Sequence, residues 1–314
     1  MPRDNLTILP VPRSLPLDVS LESFMLEQQA ARHSPKTIEH YRYTAGSFVA
    51  WLKERGVRDI GHITPDHIRA YSVSLIERGV KDTTQHAHMR GIKSWLKWLV
   101  EQGDLEASPM ARVRMPKVAK RIPPPFSRED VAKLLAACNR KTELGARSYA
   151  ICLTLLDTGL RAAEFCSLRV KDVNMRTGMA TTLGKGKKER QIRIGAKARS
   201  AILRMLALRG EYIPSDPLWA AYDNNGKRVV GPLNVKGLQT LLHRLGKSAG
   251  VMPCAPHRFR RTFALWCLRA GMDIESLRVL MGHETLVVLQ LYLDIAGEDI
   301  ERAHTAHSPV DNFL

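Results

Sequence analysis

The chain has 314 residues, enough for about two domains of ~150 residues each, and its 44% apolar and 25% charged residues suffice to fill two cores. Its 48 Lys and Arg against 31 Asp and Glu leave a net charge of +17, the footprint of a protein that lies along a polyanion, most often nucleic acid. No apolar run approaches the ~18 residues of a membrane span and the N-terminus lacks the apolar stretch of a signal peptide, so a cytoplasmic protein with no membrane partner is expected.

Residues 1–16 contain four prolines and little periodicity, and read as a flexible tail. Four helical patterns follow. The first covers about 18–31, with Leu21, Phe24, Met25 and Leu26. The second opens on Ser34-Pro35, an N-cap followed by proline at the first helical position, and carries Ile38, Tyr41, Ala45, Phe48 and Leu52 close to a 3.6 period. The third opens the same way at Thr64-Pro65. The fourth runs from about Thr83 to Gln102, with Met89, Ile92, Leu96 and Leu99 on one face. Four short-linked amphipathic helices make a bundle, placed at 17–112. Arg90, Lys93 and Lys97 lie at helical spacing on a neighbouring face of the fourth helix, either as a solvated flank or as a stripe against DNA phosphates.

Composition then shifts. Residues 113–125, VRMPKVAKRIPPP, hold four prolines and no helical period, with Arg114, Lys117, Lys120 and Arg121 interleaved. This reads as a semi-extended basic linker. The second domain, placed at 126–300, starts at Ser127-Arg-Glu-Asp130, which resembles a capping box. Helices predominate from there with one interruption: Met179–Ile194 reads as two β-prone runs around a Gly-Lys-Gly turn, a hairpin with a basic tip that includes Lys185, Lys187 and Lys188. Helical patterns resume at about 196–209, 234–249, 258–270 and 273–281, with a last helix expected over 285–295 and a tail at 301–314. The fold class is therefore mainly α: a four-helix N-terminal domain, then an α-rich domain with a small β-hairpin.

Charge is concentrated in the second part. Residues 1–112 carry 15 basic and 13 acidic side chains, whereas 113–314 carry 33 and 18. Phosphate chemistry is expected there. The five cysteines (Cys138, Cys152, Cys166, Cys254, Cys267) are dispersed without a CxxC pair, which argues against a disulfide framework or structural zinc and for buried thiols.

Four motifs in this part carry chemistry: TGLRAAE with Arg161, GKGKKER with Lys185, HRFRRTFA with His257 and Arg260, and MGHETLVVLQLY with His283 and Tyr292. Singly, each has an ordinary explanation, since a helix-surface Arg, a solvated hairpin Lys and a satisfied core His or Tyr are all common. Together they form a set suited to a phosphodiester, whose cleavage is mostly charge neutralisation and in-line positioning. Guanidinium forks match phosphate oxygens and are always charged. A lysine on a hairpin suits protonation of the leaving oxygen, and a tyrosine hydroxyl is a nucleophile when a nearby histidine accepts its proton. The arginines supply the positive charge, so neither a metal nor a cofactor is expected.

On these motifs the chain resembles the tyrosine recombinases or phage integrases, which include the Xer, Cre and lambda integrase proteins, from about residue 17 to 300. Arg161 to Lys185 spans 24 residues, His257 to Arg260 three, His257 to His283 twenty-six and His283 to Tyr292 nine, in the order and spacing of the Xer branch. The resemblance implies a SAM-like core-binding domain followed by a catalytic domain, together clamping duplex DNA. It implies that Arg161 and Arg260 hold the scissile phosphate, and that His257 is a general base or hydrogen-bond partner. His283 would donate to a non-bridging oxygen, Lys185 would protonate the 5′ oxygen, and Tyr292 would form a 3′-phosphotyrosyl bond. Glu164 matches an acidic position that orients the site; a plain i,i+3 surface pair with Arg161 is its competing reading. Arg261 departs from the histidine many members carry there, and is expected to face the DNA or a neighbour. The implied partners are core-site duplexes and a tetramer, either of this chain alone or with a sister recombinase, exchanging strands through a Holliday junction. The C-terminal stretch would dock on a neighbouring protomer. The short N-terminal tail favours simple core sites over an added arm-site domain. A type IB topoisomerase, a hairpin-forming resolvase and a non-catalytic DNA-binding protein are the alternatives.

Overall fold

The structure, a computed structural model, describes residues 15–117, 124–183, 189–223 and 225–282, together with 308 and 310. The chain divides into two compact units between Arg121 and Ile122.

In the first unit, helices α1 (Leu17–Ala30), α2 (Pro35–Glu54), α3 (Pro65–Glu77) and α4 (Asp82–Glu101) form a bundle. Two starts are set locally, by a hydroxyl that accepts one of the free N–H groups of the first turn. Ser34 Oγ accepts from Thr37 N at 3.2 Å, and Thr64 Oγ1 from His67 N at 3.3 Å, each with proline next in sequence. The apolar stripes converge on Phe24, Phe48, Leu52, Tyr71, Trp95 and Leu96, all buried. Arg90, Lys93 and Lys97 are exposed on α4, with Lys97 Nζ 3.0 Å from Glu101.

The second unit contains α5 (Arg128–Ala136), α6 (Glu143–Thr158), α7 (Ala162–Ser167), α8 (Ala196–Arg209), α9 (Val235–Ser248), α10 (Pro256–Arg269) and α11 (Ile274–Met281). Helix α5 starts in a full capping box: Ser127 Oγ accepts from Asp130 N at 3.0 Å, and Asp130 Oδ2 accepts from Ser127 N at 3.3 Å. Helix α6 packs against both α8 and α10, and Ile151, Leu155, Ile202, Leu206 and Phe259 fill the space between them. Strands β1 (Met179–Leu183) and β2 (Glu189–Arg193) pair antiparallel with Met179 opposite Arg193 and Thr182 opposite Arg190.

One interruption of the helices was expected; among the described residues there are two. A second antiparallel pair, β3 (Ala220–Tyr222) and β4 (Arg228–Pro232), follows α8. Its first strand, of three residues, is too short to show alternation. The turn chemistry was present, however: Asp223 Oδ1 accepts from Asn225 N and Lys227 N, both at 2.9 Å, and Gly226 takes φ 77°. Helix α10 begins at Pro256, two residues before the apolar pattern, because proline suits the first helical position. That shift puts His257 and Arg260 in its opening turns. Four cysteines are buried and Cys267 is partly so, all as free thiols. Among the described residues no helix is long and apolar enough to cross a membrane.

Candidate active site

Arg161 owes its position to the end of α6. Gly159 caps that helix in the left-handed region, at φ 57°, and its N–H donates to Leu155 O at 3.1 Å. The buried Leu160 anchors the turn, and Arg161 becomes the N-cap of α7. Glycine is needed at 159 on two counts, because a Cβ there would meet the Phe263 ring at 2.3 Å. Gly159→Ala should therefore lose about 2–4 kcal/mol, from left-handed strain plus overpacking, measured by urea unfolding; unchanged stability would refute this account of the turn.

Glu164, on the first turn of α7, closes back onto that cap. Its Oε2 accepts the Arg161 backbone N–H at 3.0 Å and its Oε1 the Arg161 Nη1 at 2.9 Å. The plain surface-pair reading of Glu164 is corrected here: the side chain is only 4% exposed. A second arginine, Arg190 of β2, reaches Oε2 at 2.7 Å. Burial raises the Glu164 pKa, but the hydrogen bonds from Arg190 and Arg161 outweigh it and hold the carboxyl below its ordinary range. The group stays an anion between two cations.

Arg260 is 5% exposed. Its Nη1 donates to Gly159 O and its Nη2 to Met281 O at 2.7 Å, tying the α6–α7 turn to the end of α11. Arg161 Nη2 donates to Gly282 O at 2.7 Å and Arg190 Nη1 to Leu280 O. Three arginines from three parts of the sequence thus meet three successive carbonyls, 280 to 282. The carboxyl end of a helix carries unpaired carbonyls and partial negative charge, so it gathers guanidinium groups. Arg161 remains 38% exposed beyond these bonds.

His257, three residues before Arg260, is exposed. Partial desolvation, and then the positive charges of Arg260, Arg261 and Arg161, lower its pKa below the ordinary value of 6.5. The neutral ring, able to accept a proton, is favoured. Arg258, between the two, is structural. It donates to Asp130 Oδ2 and Pro124 O, both at 2.9 Å, and to Pro253 O at 3.1 Å, and sits over the Phe126 ring.

Arg161, Glu164, His257 and Arg260 therefore come together, with Arg261 partly buried beside them. Lys117 is exposed at the end of the first unit. Lys120, Arg121, Lys185, Lys187, Lys188, His283 and Tyr292 lie outside the described residues. Among the described residues no three His, Cys, Asp or Glu converge to hold a metal. Sequence reasoning missed Arg190, although GKGKKER contains it; the signal was a charged residue alternating with the buried Ile192 on the inward face of a strand.

Comparison with known proteins gives a consistent picture. Residues 126–298 match the phage integrase family and residues 21–103 match the phage integrase N-terminal SAM-like domain. The tyrosine recombinase XerD of Pseudomonas aeruginosa is 31% identical over 301 residues, covering 93% of this chain and 97% of the relative. The tyrosine recombinase XerC of Oceanobacillus iheyensis is 28% identical over 301 residues, covering 94% and 96%. In fold, the chain is similar to the Tn1549 transposon integrase solved with a circular intermediate DNA, with a TM-score of 0.71 and 17% identity over 92% of this chain and 100% of that one. A lambda integrase tetramer solved on a Holliday junction gives a TM-score of 0.68 at 14% identity, over 89% and 78%.

Proposed function

The chain belongs to the phage integrase family of tyrosine recombinases, enzymes that cut and rejoin DNA, and from that premise we propose that it exchanges strands between two specific core sites through a 3′-phosphotyrosyl intermediate and a Holliday junction. The observation that carries this reading is the meeting of Arg161 and Arg260 at the carboxyl end of α11, one residue before His283.

In this reading the arginines neutralise the non-bridging oxygens of the scissile phosphate. Tyr292 attacks phosphorus in line and gives its proton to His257, the 5′ oxygen departs, and Lys185 protonates it. His283 donates to a non-bridging oxygen. The phosphotyrosyl bond conserves the energy of the broken phosphodiester, so rejoining needs no nucleotide. Glu164 orients Arg161. Arg90, Lys93, Lys97, Lys117, Lys120, Arg121, Lys187, Lys188 and Arg261 bind phosphates away from the cut, each adding to the salt dependence of binding. Four protomers act on two duplexes, a reading supported by the lambda integrase tetramer bound to a Holliday junction.

The test is a nicked suicide duplex carrying a site selected from random DNA, with chelator in place of magnesium. A covalent adduct that maps by peptide mass to Tyr292 supports the reading, and an adduct on any other residue sinks it. Relaxation of supercoiled plasmid irrespective of sequence would make topoisomerase the better description.

The base role of His257 has a signed pH consequence. Because its pKa lies below 6.5, the cleavage rate should be flat above pH ~6.5 and fall below it as the ring takes up a proton. Arg261→Gln removes one of the cations that lower that pKa, and should move the acid limb to higher pH. A limb that stays in place, measured in single-turnover cleavage, removes His257 from the base role.

A further inference from the structure

Arg190 has no part in the chemistry above, yet its guanidinium lies where three of the motifs meet. It is 16% exposed, with Nη2 2.7 Å from Glu164 Oε2 and Nη1 donating to Leu280 O. The first bond reaches the carboxylate that holds Arg161. The second reaches a carbonyl three residues before His283. Arg190 itself sits on the hairpin that carries Lys185, five residues away in sequence. Gly282 makes room for this contact: it takes φ 61°, and a Cβ there would lie 3.2 Å from Arg190 Nε.

We propose that Arg190 is a positioning residue for strand cleavage, aligning strand β2 and the end of α11, the elements next in sequence to Lys185 and His283, with the Arg161–Glu164 pair. The proposal rests on the roles given above to Lys185 and His283. A guanidinium can serve here because it is planar and offers donors in two directions at once. Lysine in its place keeps the charge but is a compact donor that cannot span Glu164 and Leu280 together. Glutamine keeps some packing and loses the charge.

The experiment compares wild type, Arg190→Gln, Arg190→Lys and Lys185→Ala on nicked suicide duplexes. One duplex carries the normal 5′ bridging oxygen at the cut and the other a bridging sulfur. A thiolate leaves without being protonated, because the thiol is far more acidic than a sugar hydroxyl. Sulfur therefore relieves a lost or misplaced general acid and nothing else. On the oxygen substrate, Arg190→Gln should slow single-turnover cleavage about 30- to 100-fold, the scale of a small misplacement, with Arg190→Lys between it and wild type. Affinity for the duplex should stay within about twofold, because phosphate contacts are untouched. On the sulfur substrate most of the Arg190→Gln deficit should disappear, as it should for Lys185→Ala.

If Lys185→Ala is rescued by sulfur but both Arg190 variants are equally slow on the two substrates, Arg190 does not position the hairpin and the proposal falls. Wild-type rates for both Arg190 variants on oxygen overturn it as well. If Lys185→Ala is not rescued, or wild type forms no adduct, the proposed function fails at its own step and takes this inference with it.

Discussion

Tyr292→Phe should bind a core-site duplex normally and form no covalent adduct, with cleavage reduced by more than about 10³-fold. The substitution removes one oxygen and keeps the ring. No charge is lost, so affinity and its salt dependence should match wild type within about twofold. The loss in rate should be large because a nucleophile cannot be partly replaced: without the phenol, only water or a displaced hydroxyl remains, and neither is held in line with the 5′ oxygen. Gel-shift titration and denaturing gels of the suicide substrate read the two halves separately. Adduct formation at wild-type yield would move the nucleophile elsewhere, and Tyr292 would then have no part in the reaction.

Arg260→Ala should produce two large effects with separate readouts. The side chain is 5% exposed and donates to the carbonyls of Gly159 and Met281. Each carbonyl that loses its donor in a buried setting costs about 1–3 kcal/mol, so unfolding free energy should fall by about 2–6 kcal/mol, against the ~5–15 kcal/mol of a typical domain. Cleavage by the remaining folded protein should fall by about 10³-fold or more, the effect of losing a cation aimed at a phosphoryl group. Arg258→Ala separates the two effects. It also removes a buried guanidinium, whose partners are Asp130, Pro124 and Pro253, and should destabilise comparably while folded molecules cut within about threefold of wild type. If both variants lose cleavage only in proportion to folded protein, Arg260 is structural and the phosphate clamp reduces to Arg161.

Local physics explains why so much of the fold could be read from the chain. Caps at Ser34, Thr64 and Ser127 are contacts between residues three apart, so residue type and spacing specify them without reference to the rest of the molecule. The β1–β2 pair was legible because its two five-residue strands lie on either side of a Gly-Lys-Gly sequence. The β3–β4 pair was not, since its three-residue first strand falls below any period and only the Asp223 turn marks it. Helix α10 was placed two residues late, because the apolar pattern marks the buried face and leaves out the proline that begins the helix.

Tyr292, His283 and Lys185, like Arg161, His257 and Arg260, were singled out from residue type, offset and family resemblance, and their catalytic roles are those proposed above. The sequence by itself determined a basic second half and two helical domains, because each is a matter of composition, spacing or short-range hydrogen bonding. Only the tertiary structure decided what surrounds Arg161 and Arg260. Glu164 could have been an exposed partner three residues from Arg161; packing buried it and supplied Arg190 from a strand 26 positions away. Arg260 meets Gly159 across 101 residues of sequence, and Arg161 meets Gly282 across 121. Contacts at those separations leave no periodic trace. They arise because the free carbonyls at the end of α11 need donors, and the fold brings three guanidinium groups within reach of them.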